Sequence, residues 1–255
     1  MVTDGILKPD LLNYKTTSEH DYTLKPSDIS KLESSDVIFY VDYELETFIR
    51  SFAKNNKKLI QLSSVVNLLP ARPHSFSRRI TDVKDEKDLH IWLSPENAKR
   101  MIIFISAILS EIDKENSSRY NDNAMRAIKK IDQKVKEFAK ELNDFKEQKY
   151  IVTHDAYQYF EKYFGLSPPN VILNIGEESY VGMKSLMELK KVMKEKNIKC
   201  ILSNSLEDSI DSKIFSDDTK TVILDPAGVN IEPGKNMYLD MIGNITQNFK
   251  SCFAK

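Results

Sequence analysis

Residues 116–145 contain no glycine and no proline, and their apolar side chains Ala124, Ile128, Ile131, Val135, Phe138 and Leu142 recur every three or four positions among charged ones. That spacing belongs to a helix with one buried stripe. It predicts a single long helix, which divides the rest of the chain into a part before it and a part after it. The expected organisation is a first lobe over residues 1–115, a linking helix over 116–146 and a second lobe over 147–255.

Both flanking parts alternate strand-like and helix-like segments. In the first, Pro26-Ser27-Asp28 opens a helix, the β-branched and aromatic run 36–41 reads as a buried strand, 44–49 is helix-like, and 58–62 is another short strand. Residues 66–88 lose periodicity, collect Pro70, Pro73 and many charges, and read as a long surface loop. Ser94 then has the chemistry of an N-cap with Pro95 at the first helical position, ahead of Met101, Ile102, Ile105, Ile108 and Leu109 at helical spacing.

In the second part, a strand over 149–153 ends at His154, and a helix carrying Tyr157, Phe160 and Phe164 runs to Gly165. Strands are expected at 171–173, 200–202 and 221–224, and helices at 182–196 and 235–252. The fold class is therefore α/β: two α/β lobes, with parallel-type sheets flanked by helices, bridged by one long rigid helix.

Composition removes several function classes. Lys and Arg number 37 against 38 Asp and Glu, a balance with no global field to draw the chain to nucleic acid or an anionic membrane. The 7 glycines form neither a GxGxxG nor a GxxxxGKS/T loop, which disfavours a nucleotide-using enzyme. No apolar run reaches the roughly 18 residues of a membrane-spanning helix, and Met1-Val2-Thr3-Asp4 does not open an export signal. Cys200 and Cys252 lie outside any CxxC pattern, so composition leaves open one disulfide or two buried thiols.

Four histidines remain, at positions 20, 74, 90 and 154, and three share a setting: Ser18-Glu19-His20-Asp21-Tyr22, Asp88-Leu89-His90-Ile91-Trp92 and Thr153-His154-Asp155-Ala156-Tyr157. Each has carboxylates nearby and an aromatic residue within three places. Neutral imidazole is the commonest protein ligand of Zn(II), and three imidazoles plus one oxygen donor complete a tetrahedral set. A ligating imidazole usually donates its second N–H to a carboxylate, a role open to Asp21 or Asp155. Against this, a histidine beside an aromatic residue, taken alone, is more often simply a hydrogen-bonded, partly buried side chain, and residues this far apart in sequence reveal no convergence.

At these residues the chain resembles the zinc-type branch of the metal-binding receptors of bacterial ABC importers, a family that also holds manganese receptors and adhesins. The resemblance rests on Glu19-His20-Asp21-Tyr22-Thr23-Leu24-Lys25-Pro26-Ser27-Asp28, His90-Ile91-Trp92-Leu93-Ser94-Pro95-Glu96, His154-Asp155-Ala156-Tyr157-Gln158-Tyr159-Phe160 and Leu224-Asp225-Pro226-Ala227-Gly228, in the family's order. It implies two lobes with one Zn(II) between them, held by His20, His90 and His154, with Glu19 or water as fourth ligand and Asp225 near the site. It also implies a Cys200–Cys252 disulfide, a periplasmic monomer without catalytic activity, and an inner-membrane permease with its ATPase as partners. Manganese, with Asp225 as a ligand, is the alternative within the family; a zinc hydrolase is the alternative from another class, though no HExxH-type motif is present.

The sequence departs from the family's pattern in three places. His20 lies nineteen residues after Met1, so the expectation is either a start upstream of Met1 or a first lobe that lacks the family's first strand and helix. Residues 66–88 offer only His74, expected to be an exposed loop residue, where many zinc receptors carry a histidine-rich loop. Ser203-Asn204-Ser205-Leu206-Glu207-Asp208 matches the family's acidic, proline-containing stretch loosely, and Glu207 receives no role.

Overall fold

The computed structural model describes residues 1–12, 22, 24–53, 58–73, 75, 86–173, 183–204 and 215–254. Among these, the long helix is α4, Ser117–Leu142, flanked by single 3-10 turns at Lys114–Asn116 and Asn143–Phe145. Its buried face is Tyr120, Ala124, Ala127, Ile131, Val135, Phe138 and Leu142, the stripe expected from the spacing with Tyr120 and Ala127 added and Ile128 at its edge. At 1.5 Å per residue it is about 39 Å long, more than the width of a small domain. It packs on α3, Pro95–Ile112, and on α7, Met237–Phe253. Gly243 permits the second contact, since a Cβ there would stand 3.3 Å from the Phe138 ring.

Before α4 come α1, Pro26–Ser34, and the parallel pair β1, Ile38–Tyr40, and β2, Leu59–Gln61. The helix-like stretch 44–49 is corrected to turns, a 3-10 turn at Thr47–Ile49 and then α2, Arg50–Ala53. The reason is Glu46, whose carboxylate accepts the Val41 and Asp42 N–H groups and folds the chain back before a helix can start. A small cluster of Leu32, Ile38, Tyr40 and Ile49 forms the core here.

After α4, the second lobe is a four-stranded parallel sheet in the order β6-β5-β7-β8: Val171–Ile172, Ile151–Val152, Cys200–Ser203 and Lys220–Ile223. Helices α5, Gln158–Phe164, and α6, Met183–Lys196, supply the crossovers. Gly165 closes α5 in the left-handed conformation, φ +69°, as its place after Phe164 predicts. The two lobes share one continuous apolar core in which Ile91 and Leu93 meet Tyr157, Phe160 and Phe249 around α4.

The surface-loop reading of residues 66–88 is corrected at its described ends, where β3, Leu69–Pro70, pairs antiparallel with β4, Lys87–Asp88. From β3 the chain runs onto the second lobe, where Ser75 and Ile172 exchange two hydrogen bonds, Ser75 N–H to the Ile172 carbonyl at 2.9 Å and Ile172 N–H to Ser75 Oγ at 3.0 Å. Residues 74 and 76–85 lie outside the described residues.

Cys200 and Cys252 form a disulfide that pins α7 to β7, with Cα atoms 5.4 Å apart across 52 residues of chain. Closing a loop of that length restricts the unfolded chain. The Cys200→Ser, Cys252→Ser double variant is expected to unfold with a free energy lower by about 2–4 kcal/mol. Urea unfolding of oxidised protein, reduced protein and the variant checks it, and coincident midpoints in all three would contradict it.

Candidate metal centre

His154 lies two residues beyond the end of β5 and Asp225 two beyond the end of β8, on the carboxyl side of parallel strands where α/β sheets bind ligands. His90 lies two residues beyond β4. The β3–β4 pair thus brings a residue of the first lobe to the sheet end of the second.

His90, 6% exposed, is held from several directions. Asp88 Oδ1 accepts its backbone N–H at 3.0 Å and lies 2.9 Å from ring Nδ1. An ionised carboxylate only accepts, so we assign the ring proton to Nδ1, which leaves the Nε2 lone pair outward. Leu93 N–H donates to the His90 carbonyl at 3.1 Å, and the Asn97 side-chain amide donates to that of Ile91 at 3.1 Å. Ser94 Oγ caps the Asn97 N–H at 3.3 Å with Pro95 at the first helical position, as the sequence predicts. Trp92 packs 5.5 Å from the His90 ring and donates its indole N–H to the Pro226 carbonyl at 2.7 Å. The string from His90 to Glu96 is therefore an imidazole, two buried wedges at Ile91 and Leu93, and a helix cap.

His154 is fixed by the residue before it. Thr153 is wholly buried, its N–H donates to the Leu202 carbonyl at 3.0 Å, and its hydroxyl donates to Ser203 Oγ at 3.2 Å. The His154 ring stands edge-on to that of His90, centroids 5.0 Å apart, with the two Nε2 atoms 3.1 Å from each other. Two nitrogens that share one tetrahedral Zn(II) at about 2.0–2.1 Å are separated by about 3.4 Å. The observed approach therefore needs only a few tenths of an ångström of opening to admit the ion.

The other expected site residues fall differently. His20, Glu19, Asp21 and His74 lie outside the described residues. Tyr22, just past them, donates its hydroxyl to Asp28 at 2.7 Å, and Lys25 N–H donates to the same oxygen at 2.9 Å. Those hydrogen bonds hold the Asp28 carboxyl below its usual range, so this half of the first motif is a helix start. Asp225 turns its carboxylate into its own loop, accepting Val229 N–H and Asn230 N–H at 3.0 Å each. Gly228 in that loop has φ +70°, and a Cβ there would come within 3.0 Å of Met237 Cε, which accounts for the glycine of the fourth motif.

Asp155 points to Arg72, whose Nε lies 2.9 Å from Oδ2, with a second contact from Nη2. Arg72 also grips Glu161, Nη1 to Oε2 at 2.5 Å. Burial raises the Glu161 carboxyl above its ordinary range, and Arg72 pulls in the opposite direction. Sequence reasoning missed both Asp88 and Arg72. An Asp-x-His string was the available signal for the first; the second had none, because its partners lie 83 and 89 residues away.

Among the described residues no cluster of three or more His, Cys, Asp or Glu side chains is placed to hold a metal ion. What they present is a pair of converging imidazoles, with their Nε2 atoms 3.1 Å apart.

A family model described as ZnuA, zinc-uptake complex component A periplasmic, matches residues 2–252. A high-affinity zinc uptake system protein ZnuA from Brucella suis biovar 1 is 29% identical over 293 residues, covering 100% of this chain and 87% of the relative. The protein of the same description from Yersinia pestis is 28% identical over 274 residues, covering 98% and 86%. Among solved structures, the Zn(II)-bound ZnuA-like domain of AdcA from Streptococcus pneumoniae superposes with a TM-score of 0.73 at 21% identity, covering 97% of this chain and 92% of that one.

Proposed function

The chain belongs to the periplasmic zinc-uptake complex component A family, and from that premise we propose that it captures one Zn(II) with His90 and His154 as ligands and presents it to an ABC importer. The 3.1 Å approach of the two Nε2 atoms carries this reading. Two imidazoles meeting at one point, one already oriented by a carboxylate, have the donor chemistry of a zinc site. His20 is the proposed third ligand, with Glu19 or water as the fourth and Asp21 as a further orienting carboxylate.

The working division is a first lobe at 1–115, the linking helix at 116–146 and a second lobe at 147–255, with the ion in the cleft between the lobes. The protein acts as a periplasmic monomer beside an inner-membrane permease and its ATPase, and carries out no catalysis. No helix among the described residues is long and apolar enough to cross a membrane.

Zinc is favoured over manganese by the donors. Manganese prefers harder, oxygen-rich coordination, and the carboxylate that would supply it, Asp225, already accepts two backbone N–H groups of its own loop. Stripped with chelator and dialysed against equal concentrations of Zn(II) and Mn(II), the protein is expected to retain a single zinc ion and almost no manganese by elemental analysis. Preferential retention of manganese would overturn the zinc assignment. Ester or peptide hydrolysis that disappears on zinc removal would overturn the receptor reading.

A further inference from the structure

We propose that Arg72 is a positioning residue for the metal centre: by clamping the loop that follows His154 onto the ribbon that orients His90, it sets the distance between the two imidazoles across the lobes. The inference rests on His90 and His154 being the zinc ligands.

Arg72 lies just after β3, in the stretch that crosses from the first lobe to the second. Its side chain is 16% exposed, and its two carboxylate partners, Asp155 and Glu161, are 12% and 4% exposed. A planar guanidinium reaching two carboxylates at once fixes direction as well as distance, which a point charge does not. One of those carboxylates belongs to Asp155, the residue after His154. The other belongs to α5, the helix entered through that same loop.

The opposite side of the ribbon is tied to His90. Asp88 of β4 orients the imidazole through Nδ1 and is paired with Leu69 of β3. Tyr159 of α5 joins the two strands from the second lobe, its hydroxyl accepting Leu69 N–H at 2.9 Å and donating to the Asp88 carbonyl at 2.9 Å. Gln158, with its amide oriented to satisfy its neighbours, donates to Asp88 Oδ2 at 3.1 Å and to the Pro70 carbonyl at 3.2 Å. One short ribbon therefore holds the carboxylate that aims His90 and the guanidinium that anchors the His154 loop. Relaxing the guanidinium frees one imidazole relative to the other without touching either ring.

The test uses Arg72→Lys, which keeps the charge and loses the fork, and a neutral trio, Arg72→Met with Asp155→Asn and Glu161→Gln, which leaves no buried charge unpaired. Zinc affinity is measured by chelator competition, the ligand field by Co(II) absorption, and folding by circular dichroism. Both variants are expected to fold, bind zinc at least about 10-fold more weakly, as outer-shell changes do, and give a Co(II) spectrum shifted from wild type.

A folded variant with wild-type affinity, or with weakened affinity and an unchanged Co(II) spectrum, would overturn the positioning role. So would failure of both variants to fold, since it makes Arg72 a determinant of the fold. If instead wild type shows no zinc binding, or His154→Ala binds as wild type does, the ligand assignment itself fails, and the two failures are distinguishable.

Discussion

Replacing His154 by alanine is expected to weaken zinc binding by more than about 100-fold, because removing a ligand should exceed the roughly 10–100-fold loss typical of changing an outer-shell partner. His90→Ala is expected to cost at least as much affinity and some stability besides. Its ring is almost wholly enclosed, and its loss strands the Asp88 carboxylate, itself 5% exposed, without its imidazole. His154 is only partly buried, so its substitution isolates the effect on the metal.

Asp88→Asn keeps the shape but replaces the charged carboxylate that fixes the His90 tautomer with a neutral, weaker amide acceptor, and belongs in the intermediate range. His74→Ala is expected to bind as wild type does. The measurement is competition against a chromophoric chelator at pH 7.5, with circular dichroism as the control for folding. Wild-type affinity in both histidine variants would end the assignment.

The parts of this molecule that the sequence revealed are those built from neighbours along the chain. The α4 helix announced itself because a long stretch free of breakers with a three-or-four apolar spacing has one stable use. Ser94, Pro95 and Gly165 marked helix ends through conformational preferences that act within a few residues. The β3–β4 ribbon stayed hidden for the opposite reason. Each of its strands is two residues long, one contains Pro70, and the pair gains its order from Tyr159 and Gln158 on the other lobe.

Arg72 read as one more charge in a polar loop because nothing local tells a solvated arginine from one gripping two carboxylates. The histidines fall between these cases. Motif resemblance named His90 and His154, but their meeting is a tertiary fact that spacing along the chain could not supply. Asp155, one of the carboxylates the sequence offered for orienting an imidazole, is gripped by Arg72, and Asp88, two residues before His90, orients the ring there.

A receptor that must also let go of its ion has a lever in the same rings. Imidazole binds metal only when neutral, and an ordinary imidazole takes up its proton near pH 6.5. Below that value every ligating histidine makes the apparent zinc affinity fall by a further factor of ten per pH unit, since one proton must be displaced from each ring. Two such rings give a loss on the order of 1000-fold between pH 7.5 and pH 5, and three give more. The limiting slope of log affinity against pH between 4.5 and 5.5 therefore counts the imidazoles. A slope near three means that His20 joins the pair, and His154→Ala should lower whichever slope wild type shows by one. Titrations with chelators of known proton affinity measure it directly. Affinity that stays level from pH 7.5 to 5 is incompatible with histidine ligation, because no carboxylate-only site protonates in that window without a displaced pKa.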